Sequence, residues 1–82
     1  MNTHLTKRFE QRVIESVMRL KQLKDVTRVT DLGDGLYTHT NTRGRIRYIQ
    51  LCTSPTRAKT IAQQTQGEYF KSNSSWVCLY EK

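Results

Sequence analysis

Arg43-Gly44-Arg45-Ile46-Arg47 places three guanidinium groups within five residues. Arginine stays charged at every physiological pH and presents a rigid fork of donors that fits phosphate or carboxylate. The cluster therefore points to an anionic partner. The chain around it has 14 Lys and Arg against 7 Asp and Glu, a formal charge of +7. Such a balance favours contact with nucleic acid or acidic proteins.

Other chemistries lack their parts. A nucleophile needs a neighbouring base, and the candidates are Cys52, Cys78, His4, His39 and a few serines. No signature links them. His39 reads as an exposed strand histidine, and the two cysteines read as thiols packed in a sheet. Without a Cys-x-x-Cys or a histidine at zinc spacing, they make neither a redox motif nor a metal site. Asp31 and Asp34 flank a glycine turn, but Mg²⁺ or Ca²⁺ requires more oxygen ligands than one short turn offers. Gly33-Asp34-Gly35 lacks the Lys-Ser/Thr and the following helix of a phosphate loop. The expectation is a non-enzyme with no metal and no cofactor.

The elements that must position the arginines are legible in outline. Leu5, Phe9, Val13, Val17, Leu20 and Leu23 recur at spacings of four and three and form a stripe about 120° wide. They predict a helix over residues 4–24, with Thr3 or Thr6 as its cap and Arg8, Arg12 and Arg19 on its outer face. Val26 to Thr30 and Leu36 to Thr40 read as strands joined by a turn at Gly33-Asp34-Gly35. Asn41-Thr42-Arg43-Gly44 reads as a second turn, with Gly44 in the left-handed position of a bulged hairpin.

Arg45 to Cys52 is then a third strand. Ile46 and Tyr48 share a face with Cys52, while Ile49 and Leu51 share the other with Arg45 and Arg47. A strand apolar on both faces over its second half is expected at the centre of a sheet, covered on both sides. Its first half keeps a wet face, and that face carries the arginines. Arg28, on the first strand, joins them if the strands pair in the simplest register.

Ser54 and Pro55 mark the N-cap and first position of a second helix. Ala58, Ile61, Ala62 and Thr65 form its core stripe, and Gly67 is its stop. Arg57 and Lys59 lie in its first turns, where free N–H groups already attract anions. A last hairpin runs Glu68 to Lys71, turns through Asn73-Ser74-Ser75, and returns Trp76 to Tyr80. The order α-β-β-β-α-β-β predicts an α+β fold, mostly antiparallel, with helices packed on the sheet. Eighty-two residues make one small domain, 1–82, able to bury roughly 60% of its surface and to hold one core and one binding surface.

The α-β-β-β-α order, with Ser54-Pro55-Thr56-Arg57-Ala58-Lys59-Thr60-Ile61-Ala62 in the second helix, is similar in outline to the double-stranded RNA-binding domain. That likeness implies that such an architecture can carry a phosphate-reading surface, with the second helix's basic N-terminus meeting phosphates. The first helix lacks that family's pattern, and the C-terminal hairpin is additional.

Two functional expectations follow. The first is a nucleic-acid-binding domain in which Arg28, Arg43, Arg45, Arg47, Arg57 and Lys59 contact phosphates with little base readout. The second is a small phage or mobile-element type of inhibitor or adaptor. It would apply the same patch to an acidic surface of a nucleic-acid-processing complex, such as a CRISPR or restriction complex or a polymerase. No apolar run approaches the ~18 residues of a membrane span, and residues 1–9 carry no continuous apolar stretch. A cytoplasmic protein with no membrane partner is expected.

Overall fold

The computed structural model describes residues 3–81, with side chains over 8–81. The elements are α1 (Thr3–Leu20), β1 (Val26–Gly33), β2 (Leu36–Asn41), β3 (Ile46–Cys52), α2 (Pro55–Thr65), β4 (Glu68–Ser72) and β5 (Ser75–Glu81). This is the expected order, and the strands form one antiparallel sheet with both helices packed on it. The strand order is β1-β2-β3-β5-β4. The C-terminal hairpin thus extends the meander, and its second strand, not its first, takes the place beside β3.

Each connection has a local cause. Asp34 and Gly35 both adopt positive φ, 53° and 77°, the two-residue turn whose twist matches antiparallel strands. Gly33 pairs with Leu36 across it. At the next turn Gly44 has φ +82°, as expected for the bulged hairpin. Ser54 caps α2 by accepting from the Arg57 N–H, with Pro55 at the first turn. The left-handed residue after α2 is Gln66, φ 57°, and not Gly67. Gly67 donates its N–H to the Ala62 carbonyl at 2.9 Å, which satisfies a terminal helix carbonyl.

Strand alternation divides the core in two. Tyr37, Ile49, Val77 and Leu79 point to one face, where Val13, Ile14 and Val17 of α1 cover them. Cys52, Cys78 and Tyr80 point to the other, beneath Ala58 of α2, with Ile61, Tyr48 and Trp76 packed around them. The helices therefore lie on opposite faces, and β3 and β5 are buried from both sides. Full burial of each large aliphatic chain contributes about 1.5–3 kcal/mol. Cys52 and Cys78 are buried free thiols with sulfurs 3.9 Å apart. The Cys78 thiol donates to the Ala58 carbonyl, and burial, first of all, pushes its pKa up to about 12.

The first helix departs from expectation at both ends of its stripe. It stops at Leu20, not near residue 24, because Gln22 turns left-handed at φ 55°. Gln22 N–H then bonds Arg19 O, and Leu23 N–H bonds Met18 O at 2.8 Å, the paired closure of a helix C-terminus. Phe9 and Leu20, expected in the core, are 45% and 59% exposed. The sheet meets the helix along Val13, Ile14 and Val17, with Met18 partly covered, so the buried arc is rotated away from them. Leu5 and the capping roles of Thr3 and Thr6 fall outside the described side chains.

Gly67 has a steric rather than a conformational reason to be glycine. A Cβ there would sit 2.6 Å from both the Leu79 carbonyl oxygen and Tyr80 Cβ. Gly67→Ala is expected to cost about 1–3 kcal/mol, read as a lower urea midpoint at unchanged slope. Gly44→Ala meets open space but keeps φ +82°, and should cost about 1–2 kcal/mol. An unmoved midpoint in Gly67→Ala would contradict the packing described for the β4–β5 end of the sheet.

Candidate anion-binding site

Three of the six expected cations converge. Arg43, Arg45 and Arg47 line one cavity of about 370 Å³, together with Lys21, Asp25, His39 and Asn41. The cavity lies where α1 has ended and the face it covers runs on toward the start of β3. Lys21 is the first residue after α1, and the left-handed Gln22 then turns the chain.

The turn that carries the arginines is built on Asn41. Its Oδ1 accepts from the N–H groups of both Arg43 and Arg45, each at 2.9 Å. Its backbone N–H donates to the Arg45 carbonyl, and its carbonyl accepts from Gly44 N–H, both at 3.0 Å. Thr42 N–H donates to the Asp25 carbonyl, tying the turn to the segment that leaves α1. The arginines thus project from a hydrogen-bonded frame, so little backbone entropy is lost when they engage a ligand.

The four cations differ in their partners. Lys21 Nζ lies 2.6 Å from Glu68 Oε1 and 4.5 Å above the Phe70 ring. Arg47 Nε lies 3.1 Å from Glu81 Oε2. The guanidinium groups of Arg43 and Arg45 make no ion pair with a described residue. Both pairs are partly solvated, so they fix geometry more than they add stability.

His39 corrects an expectation. It is not an exposed strand histidine: it is 3% exposed, and neither ring nitrogen makes a hydrogen bond with a described residue. The cause is register. His39 pairs laterally with Arg47 on β3 and Val29 on β1, on the face that α1 covers at Tyr37. Burial, and then the Arg47 charge, lower its pKa below the ordinary 6.5, against weaker opposite pulls from Asp25 and Glu81.

The other three expected residues stand apart. Arg28 pairs with Thr40, and alternation places it on the face opposite Arg47. The β1–β2 pairing has an irregularity between Val26 and Arg28, so the simple register that would join Arg28 to the cluster is not the one adopted. Arg57 and Lys59 lie on α2, also on that opposite face. Arg57 sits near the C-terminal end of β3, about 20 Å along the strand from Arg45, in a hollow with Ser54, Thr60 and Gln64. Lys59 faces a different hollow beside Tyr69. The outline shared with the double-stranded RNA-binding domain therefore does not unite the α2 cations with the strand arginines.

Among the cavity's other lining residues, Lys21 and His39 can donate to an anion, and neither was an expected contact. His39 had a signal, since it alternates with Tyr37 and Asn41. Lys21 had none, because glutamine is not a residue that announces a left-handed helix end.

The lowered pKa of His39 has a stability consequence. The folded state resists the proton that the unfolded chain accepts near pH 6.5. Stability should therefore fall as pH drops through 6.5 toward the folded-state pKa, before carboxylates titrate. His39→Gln should lose this decline, as judged by urea midpoints at about pH 7.5 and about pH 5.5. An equal decline in both proteins would remove His39 as its source.

Compared with known proteins, the chain matches no family, and it shows no significant similarity to a curated protein or to a solved structure.

Proposed function

We propose that this protein is a non-enzymatic nucleic-acid-binding domain that holds the phosphate backbone at the Arg43–Arg45–Arg47 turn. One observation carries the reading: Asn41 fixes the backbone of Arg43 and Arg45, and both line one cavity with Arg47 and Lys21. Arginine forks suit phosphate oxygens, and the net charge of +7 favours encounter with a polyanion. Arg28, Arg57 and Lys59 lie outside this cavity and contribute only a diffuse field. The reading includes action in the cytoplasm.

Binding should be electrostatic in its thermodynamics. The log–log dependence on salt should have a slope of about −0.9 for each duplex phosphate neutralised. Arg43→Ala should weaken binding evenly across sequences and reduce that slope by about one. Arg43→Glu with Arg45→Glu should abolish binding to duplex DNA, duplex RNA and single strands at low salt. Being exposed substitutions, they should leave stability within about 0.5 kcal/mol. Arg57→Glu with Lys59→Glu should retain most of the affinity. If wild-type protein binds none of these nucleic acids at low salt, the reading fails. A stoichiometric protein complex that survives nuclease and depends on Arg43 and Arg45 would replace it with the inhibitor or adaptor reading.

A further inference from the structure

We propose that the cavity between the arginine turn and the end of α1 is a seat for a terminal phosphomonoester, the phosphorylated end of a nucleic-acid strand, with His39 as one of its ligands. The proposal deepens the nucleic-acid reading and rests on it for the identity of the strand.

Shape comes first. At about 370 Å³ the cavity lies at the small end of ligand sites, large enough for a phosphate with part of its ester and too small for a folded segment. His39 forms a deep wall, 3% exposed, with two nitrogens that no described residue satisfies. A buried polar group left without a partner is costly and calls for an explanation. Both nitrogens are closed off from the open cavity, so a phosphate oxygen accepts a hydrogen bond from one of them only when the ring turns or the rim shifts. The arginine forks would take its other oxygens.

Charge is the second argument. Lys21, Arg43, Arg45 and Arg47 outnumber the acids among or beside them, Asp25, Glu68 and Glu81, by one. A proton on His39 raises the excess to two. A phosphomonoester carries close to two negative charges at neutral pH, its second pKa lying near 6, whereas a backbone diester carries one. A protonated site therefore balances a strand end and overcompensates a backbone phosphate.

Surroundings argue for an end rather than a passing backbone. Beyond Arg47 lies a hollow of about 570 Å³ that includes Glu68, Glu81 and residues 65–67 at the C-terminal end of α2. Carboxylates and helix carbonyl ends both repel anions. A strand entering past Arg43 finds beyond Arg47 only these paired carboxylates and no further cation lining that hollow, which favours a terminal phosphate over a continuing backbone.

Proton linkage gives the proposal a signature. The charged groups facing His39 are Arg47 on β3, Glu81 on β5, Asp25 before β1, Lys21 at the end of α1, and Arg43 and Arg45 from the turn. In the free protein the ring favours its neutral form. A bound dianion favours the charged form, so binding takes up a proton and tightens as pH falls from about 7.5 toward about 7, where the phosphomonoester is still mostly dianionic.

The test compares matched oligonucleotides ending in a 5′-phosphate, a 3′-phosphate or only hydroxyls, with fluorescence anisotropy on wild-type protein and on His39→Gln. One phosphorylated end should bind about tenfold or more tighter than the hydroxyl end. That advantage should grow as pH falls in wild type and be pH-independent in His39→Gln. A measurement without any variant is the NMR titration of His39, one of only two histidines in the chain, with inorganic phosphate as the probe. Its pKa should rise by about one unit or more. Equal affinity for all three ends, or a His39 pKa unmoved by phosphate, overturns the phosphate seat while leaving backbone binding intact. No binding of any oligonucleotide, together with a phosphate-shifted His39, keeps the seat and overturns the nucleic-acid reading.

Discussion

Everything in this molecule depends on β3 and β5 being buried from both sides. Ile49 faces Leu79 across the pair, and Leu51 faces Val77, beneath α1. One residue along, Tyr48 faces Tyr80, and their rings stack at 5.4 Å on the α2 side. A one-residue slip would exchange the two sets and bring the small pocket under Ala58 against residues sized for Val13 and Val17. With both faces committed, the register has no tolerance. Everything attached to the ends of these strands inherits a fixed position.

The cavity at the arginine turn is one such inheritance. His39 is held opposite Arg47 by the β2–β3 pairing, and Arg47 opposite Glu81 by the β3–β5 pairing. The helix covers this face up to Leu20, and the left-handed Gln22 then turns the following loop along the cavity that His39 lines. Had α1 continued to residue 24, another helical turn would have followed Lys21, and the loop lining the cavity would not exist. The helix end and the bulged turn, distant in sequence, are joined through Thr42 and Asp25. The result is a basic hollow with a rigid rim and a buried titratable wall.

Most of the basic charge lies outside this cavity. Arg8, Arg12 and Arg19 are exposed on α1, and Arg57 and Lys59 are separated along α2. Charge of this kind acts at long range through the summed field and is screened within about a Debye length. Arg43 and Arg45 differ in that Asn41 fixes their backbone positions by hydrogen bonds. The net charge and the local cluster are thus different properties, one acting at long range and the other at contact distance.

The sequence alone determined whatever is encoded locally. Ser54-Pro55 started α2, Asp34-Gly35 made its hairpin, Gly44 bulged the arginine turn, and the alternation of β3 announced a central strand covered on both sides. Each depends on the conformational preferences of a few adjacent residues. Tertiary structure decided what those residues meet. Phe9 and Leu20 fit the helical stripe, yet the line of contact with the sheet ran through Ile14 and left them in solvent. Arg28 lay on a predicted strand, yet an irregular pairing with β2 put it on the wrong face for the cluster. His39 read as a polar strand residue until its neighbours on both sides were known, because burial is set by what covers a face and not by the residue itself. The arginines were legible from their chemistry. That they surround a buried histidine, closed by a lysine from the end of α1, followed only from packing between elements far apart in the chain.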